Sequence, residues 1–280
     1  MTVVDADLRA LITDPDRIAD AASSLAAGAA VAHAFGNFYA ITTRADLDTV
    51  RRVNLMKGRP ADQVGSVTAP PSTVTRAWDL DRLPEALPAR AATAIVDALF
   101  ALGPFGFRGP AAAHVPAHLS QVDGGVRTAQ VIAPGYRCPS NALLLAACRA
   151  TGEDLLYITS ANRSRQLTGA ADSPAHWQAA GLRAEFGDGC GLVIIEHPDE
   201  AAARAAYPRH LPMSTTVLGL HRVVHRPGDP RPHLVLERHG SLPAAVVRRV
   251  LSDVGYGLVL GPRAATRLAP RDYTRLPVDR

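Results

Sequence analysis

Stretches of helical period alternate with short apolar runs along most of this 280-residue chain. The spacing predicts a helix over residues 16–28, where Ile18, Ala21, Ala22 and Leu25 share a face and Gly28 closes it. A second helix is predicted from Asp46 to Lys57, with Leu47, Val50 and Val53 at every third position and Gly58 beyond its end. Others are predicted from Pro88 to Leu102, from Ser140 to Ala150 with Ser140 or Asn141 as N-cap, and from Ser241 to Val250. Between them lie strand candidates at Ala29 to Ala34, Gln63 to Val67, Thr128 to Ile132, Leu155 to Thr159, Leu192 to Ile195, Thr215 to Leu220 and His233 to Leu236. Gly103 to Pro116 reads as a loop and Asp123-Gly124-Gly125 as a turn. Helices and strands so interspersed predict an α/β domain with a mixed sheet.

The composition, 47% hydrophobic and 20% charged, is that of a globular chain able to bury a sizeable core. No apolar run reaches bilayer length and the acidic N-terminus lacks a signal pattern, so no membrane association and a cytoplasmic location are expected. Cys138, Cys148 and Cys190 are widely spaced, which predicts buried free thiols. No metal site is expected: His114 and His118 are four apart, but Pro116 between them breaks a common helix face. The expected organisation is a lead-in over 1–16, a domain over 17–260 and a basic, loosely packed tail over 261–280.

Two distant segments carry the candidate chemistry. Lys57-Gly58-Arg59-Pro60 follows a helix, and Lys57 is the only lysine in the chain. Lysine offers a compact charge on a flexible stem, and arginine a planar fork for two phosphate or carboxylate oxygens. Thr159-Ser160-Ala161-Asn162 sits where an apolar run ends. Each segment also has a plainer reading, as cations complementing a helix C-terminus and as a polar strand exit with Asn162 capping a turn.

In order and context, these segments resemble the YrdC-like family, whose best-known members are threonylcarbamoyl-AMP synthases. The resemblance runs from about Arg17 to Leu242. It takes in Leu102-Gly-Pro-Phe105, Thr159-Ser-Ala-Asn-Arg-Ser164, Ser214-Thr-Thr-Val217 and Arg238-His-Gly240. It implies one YrdC-like domain, a twisted mixed sheet surrounded by helices and bearing a large basic concave face. It also implies a nucleotidyltransferase that forms an acyl adenylate from ATP, bicarbonate and threonine, releases pyrophosphate and serves the threonylcarbamoyl-adenosine modification of tRNA.

By resemblance, Lys57 and Arg59 would contact phosphates and the carbamate as catalytic residues. Ser160, Asn162, Ser214 and Arg238 would bind the nucleotide. ATP with Mg2+ is implied as substrate, with no tightly bound cofactor. The implied partners are ATP or an acyl adenylate, a small amine or amino acid, and tRNA or a tRNA-modifying enzyme.

The sequence departs from the family pattern at the amino-acid side. Where the family has Pro-Thr-(Glu/Asp)-Thr-Val-Tyr-Gly-Leu, this chain has Ala34-Phe-Gly-Asn-Phe-Tyr-Ala-Ile41. Asn37 and Tyr39 would therefore form any substitute co-substrate pocket. Ile132 replaces an arginine, Gly106 a threonine and Arg165 a glycine. Two alternatives follow: a divergent enzyme making a carbamoyl or acyl adenylate of another small molecule, and a non-catalytic nucleotide- or RNA-binding module.

Overall fold

A computed structural model describes residues 10–164 and 174–273. Arg165, one of the departures above, lies outside the described residues. The helices are α1 (Pro15–Ala26), α2 (Leu47–Met56), α3 (Ala89–Phe100), α4 (Ser140–Thr151), α5 (Ala179–Phe186), α6 (Glu200–Ala206) and α7 (Ala244–Asp253). The strands are β1 (Ala30–Phe35), β2 (Phe38–Thr43), β3 (Ser66–Thr68), β4 (Phe105–Pro110), β5 (Ser120–Asp123), β6 (Val126–Ala133), β7 (Leu156–Ser160), β8 (Leu192–Ile195), β9 (Val217–Arg226), β10 (Asp229–Arg238) and β11 (Gly257–Leu260).

All the strands join one mixed sheet in the order β11-β10-β9-β4-β6-β3-β7-β2-β1-β8, with β5 paired to β6. Four neighbouring pairs are parallel: β1 with β8, β10 with β11, β3 with β6, and β4 with β9. The expected α/β class with a mixed sheet is thus the observed one.

Strand alternation divides the buried side chains. Tyr39 and Ile41 of β2 and Val131 and Ala133 of β6 join the main core with α1, α3, α4 and α7. Their neighbours Phe38, Ala40 and Ile132 join Phe35, Ile158, Ala175 and Val217 in a second, smaller cluster. That smaller cluster becomes the floor of the site.

Local chemistry sets the helix ends. Asp14 accepts from the amides of Asp16 and Arg17 to cap α1, and Asp46 accepts from the Thr49 amide to cap α2. The N-cap expected at Ser140 or Asn141 is absent. Pro139 stands at that position, Ser140 pairs with Cys138 Sγ, and the Asn141 amide donates back to the Gly135 and Tyr136 carbonyls. Of the three thiols only Cys138 is buried, while Cys148 and Cys190 are partly exposed.

The segment expected to be a loop after Gly103 contains β4. Its glycines read as punctuation in the sequence, yet they are close-packing positions. A Cβ at Gly109 would lie 2.8 Å from the Trp78 ring, and one at Gly106 would lie 2.5 Å from Ile132. The tail expected to pack loosely is anchored through Ala269 and beyond. The Leu268 amide donates to His239 O, and the Arg271 amide donates to Pro212 O. The guanidinium groups of Arg267 and Arg271 donate to the carbonyls of Gly240, Ser241 and Pro174.

Candidate functional site

The site starts at the C-terminus of α2. Gly58 adopts φ 71°, the left-handed conformation that glycine takes without strain, and its amide donates to Leu55 O. The chain therefore reverses at once, and Arg59 N donates to Asn54 O. Reversal sends Lys57 inward and Arg59 toward the sheet. Lys57 is fully buried, and its Nζ donates to the carbonyls of Ser160 and Asn162. In return Ser164 N donates to Lys57 O at 2.7 Å. Two segments a hundred residues apart are thus stitched into one corner. Asn54 extends it by donating to the carbonyls of Ala61 and Gln63 and accepting from the Tyr157 hydroxyl.

Beside this corner opens a cavity of about 470 Å³ on the second-cluster face. Its floor is apolar, made by Phe35, Phe38, Ala40, Ile132, Ile158 and Met213. Its rim is polar: Arg59, Gln63, Ser66, Gln130, Thr159, Ser160, Ser214, Thr215 and Arg238. Leu268 and Ala269 of the tail reach its edge.

Two guanidiniums define the electrostatics. Arg59 Nη1 donates to Thr159 Oγ1 at 2.7 Å, while its buried Nε has no partner among the described residues. Arg238 donates to Thr215 O and Oγ1. Burial, then repulsion from Arg108 and Arg59, pushes Arg238 down to about 10, which leaves it charged at neutral pH. Arg108 is neutralised by Glu237 at 2.7 Å, but neither Arg59 nor Arg238 has a carboxylate partner among the described residues. Two planar cations without a salt-bridge partner among the described residues, set over a cavity, have the chemistry to receive an anion.

Of the expected nucleotide and catalytic residues, Arg59, Ser160, Ser214 and Arg238 line this cavity. Lys57 and Asn162 stand behind it. Asn162 is buried, with its side-chain amide donating to Arg163 O and its carbonyl receiving Lys57. Asn37 and Tyr39, expected as a co-substrate pocket, do not line the cavity. Gly36-Asn37 is a two-residue turn joining Phe35 to Phe38, so β2 begins one residue after Asn37. Period-2 alternation then sends Phe38 and Ala40 to the cavity and turns Tyr39 away. The Tyr39 hydroxyl accepts from His197 N, and the Asn37 amide donates to His210 O and the Tyr273 hydroxyl. Sequence reasoning missed Phe38, Gln130 and Ile158. Counting two residues from Ala40, Ile132 and Ser160 along their strands would have found them.

Two of the departures from the family pattern prove to be one exchange. Gly106 and Ile132 are direct cross-strand partners, and Ile132 Cδ1 fills the space a Gly106 side chain would need. Val217 Cγ2 closes the other side at 2.9 Å. We expect Gly106→Thr to destabilise by about 1–3 kcal/mol through overpacking. Adding Ile132→Ala should recover part of that loss, a non-additivity that a double-mutant cycle in urea would measure.

Among the described residues that line the cavity there is no carboxylate, so from these a magnesium ion arriving with a triphosphate would be held by phosphate oxygens and water. Asp123, His221 and Glu237 bring one ligand atom each within 4.8 Å of one another. Arg222 lies 3.7 Å from Asp123 and 3.6 Å from Glu237, and Arg108 holds Glu237. Those cations already supply the positive charge a metal would bring, and the trio works as an ion-pair network steadying Arg108 beside Arg238.

The sheet order and the cavity define the fold of the YrdC/Sua5 family. A doubly substituted P. abyssi Sua5 is 21% identical and superposes with a TM-score of 0.60 over 89% of this chain and 63% of that one. P. abyssi Sua5 complexed with L-threonine is 20% identical, with a TM-score of 0.57 over 87% of this chain and 59% of that one. A hypothetical protein from Streptococcus mutans UA159 is 13% identical, with a TM-score of 0.58 over 86% of this chain and 94% of that one. The chain therefore spans about three-fifths of the P. abyssi Sua5 chains. No family model and no curated protein matches the sequence. At these identities the likeness is one of fold. No helix among the described residues is long and apolar enough to cross a membrane.

Proposed function

We propose that this chain forms an acyl adenylate: it binds ATP and a small carbamate or carboxylate and releases pyrophosphate. The observation that carries this reading is the pair Arg59 and Arg238, cations without a carboxylate partner among the described residues, set over a 470 Å³ cavity. In the carbamate version, an amine first combines with bicarbonate and loses water. A carbamate oxygen then bonds to the α-phosphorus while the bond to the bridging oxygen breaks, and that oxygen leaves with pyrophosphate. Little covalent work falls to the protein. Its part is to hold the two anions close and offset their charge, which guanidiniums and hydroxyls do by position. Ser160, Ser214 and Thr215 offer hydroxyls along the same rim. The L-threonine complex of P. abyssi Sua5 supports an amino acid as the source of the amine.

Pyrophosphate release from ATP with bicarbonate and a panel of amino acids tests this reading. Arg59→Ala and Arg238→Ala should each lower kcat/KM at least tenfold, since a charged hydrogen bond to an anion is worth about 1.5–3 kcal/mol. Unchanged kcat/KM in both variants would refute the assignment. Delivery of the product to tRNA is the role proposed for the threonine-using version. The apolar floor favours the other version, with a different small molecule.

A further inference from the structure

A line of polar side chains runs across the sheet and ends at the cavity rim. It starts at Glu237 of β10, which accepts from Arg108 Nε of β4 at 2.7 Å. Strand β9 lies between those two, and Gly219, the direct partner of Arg108, leaves the gap through which they meet: a Cβ there would lie 2.8 Å from Glu237 Oε1. Arg108 Nη2 donates to Gln130 Oε1 at 2.8 Å, and Gln130 Nε2 donates to Ser66 Oγ at 2.6 Å. The orientations are forced. A guanidinium has only donors, so it fixes the Gln130 oxygen toward Arg108 and the Gln130 nitrogen toward Ser66. Ser66 Oγ therefore accepts from Gln130, and its own proton must point elsewhere. No acceptor among the described residues takes that proton.

The direction left to it is the cavity. Ser66 is the antiparallel partner of Ile158 and stands beside Gln130, and all three line the cavity, whereas Val67 faces the main core. Strands β6 and β7 flank β3, which leaves the cavity as the open side of Ser66. We propose that Ser66 is a specificity-determining contact whose hydroxyl donates to an anionic oxygen of the ligand, a phosphate or a carboxylate, and that Gln130 is the residue that positions it. The identity of the ligand rests on the acyl-adenylate reading, but the direction of the proton does not. A hydroxyl that already accepts gains most from a ligand acceptor, because its proton otherwise stays unpaired in a largely buried place. The Arg108 charge polarises the Gln130 amide, which strengthens Ser66 as a donor in turn. Arg108 thus acts on the ligand without touching it, while Glu237 offsets its charge.

The test uses the full chain and two substitutions. Ser66→Ala removes the donor. Gln130→Glu keeps the shape but can only accept, so the Ser66 proton turns to the new carboxylate and only lone pairs face the ligand. Calorimetry with ATP and magnesium reads a phosphate contact, and KM for the small substrate in pyrophosphate release reads a carboxylate contact. We expect Ser66→Ala to weaken one of the two about tenfold, as loss of a hydrogen bond to a charged group does, and the one that weakens identifies the oxygen. The added charge of Gln130→Glu repels an anion in any background, so its penalty is compared with Ser66 present and in the Ser66→Ala background. It should be about tenfold larger with Ser66 present. Equal penalties would overturn the positioning role, and ATP affinity and KM both unchanged in Ser66→Ala would overturn the contact. Weaker ATP binding in Ser66→Ala, with no pyrophosphate released from any amino acid by the unaltered chain, would instead overturn the acyl-adenylate reading alone. No ATP binding by the unaltered chain would overturn both. Urea midpoints check folding, and where Gln130→Glu does not fold, Ser66→Ala decides.

Discussion

Replacing Lys57 by methionine is expected to lower the unfolding free energy by about 1–3 kcal/mol. Methionine keeps the apolar stem but removes the Nζ donor from the carbonyls of Ser160 and Asn162. Lys57 itself is fully buried, so water cannot freely replace it. Ser160 O keeps the Asn162 amide as a donor, but Asn162 O loses its donor, and a buried carbonyl so left costs about 1–3 kcal/mol. A urea titration should show a lower midpoint at unchanged slope. A loss below about 1 kcal/mol would mean the corner holds without the lysine. The same substitution should cut activity, because Ser160 borders the cavity and its backbone is held by this bond. Lys57 thus answers partly to the plainer reading of its sequence context, a residue fixing a helix end, with Arg59 as the cation facing the cavity.

Acid is expected to destabilise the protein steeply between pH 6.5 and 4. Three histidines are buried neutral, with burial as the leading cause, and each is pushed down to about 4: His33, His197 and His210. His33 lies between the Thr42 hydroxyl and Ala34 O, while His197 and His210 stand edge-on to Tyr39 and Tyr207. The unfolded chain protonates its histidines below about pH 6.5, whereas the folded chain waits until about 4. The unfolded state therefore binds more protons in that window, and stability falls as pH falls. At pH 5 the loss is on the order of 2 kcal/mol per histidine. Glu185, Asp46 and Asp123 are shifted downward, so their protonation in the folded state belongs to a lower window. Urea midpoints at pH 7, 6 and 5 measure the effect. A flat profile would refute it, and His197→Leu should give a shallower one.

Much of the fold could be read from the sequence because most of its signals are local. The α1 and α2 stripes, the Asp123-Gly124-Gly125 turn and the β8 run lie close to where spacing and turn chemistry put them, while α7 begins three residues later than expected. Residues with long-range duties were harder. Gly106 and Gly109 look like loop residues until Ile132 and Trp78 are known to press on them. The helices α5 and α6 are short, at eight and seven residues, and show weak or interrupted apolar spacing. In the site, the residues proposed to face phosphate carried recognisable chemistry. The floor did not, since Phe38 and Ile158 resemble any core residue until strand register shows which face they take. Asn37 drew attention as the stand-in for a family threonine, yet it sits in a two-residue hairpin and its amide is turned to His210 O and the Tyr273 hydroxyl.

The cavity takes its lining from points as far apart as Phe35 and Ala269. The parallel pairings beneath it, β1 with β8 and β4 with β9, close loops of more than a hundred residues. Such pairings are slow to form because chain entropy is lost before contacts repay it. The site is therefore a late product of folding. Nothing short of the assembled sheet can hold the two arginines over the floor, and ligand capture during refolding would time the last step of assembly.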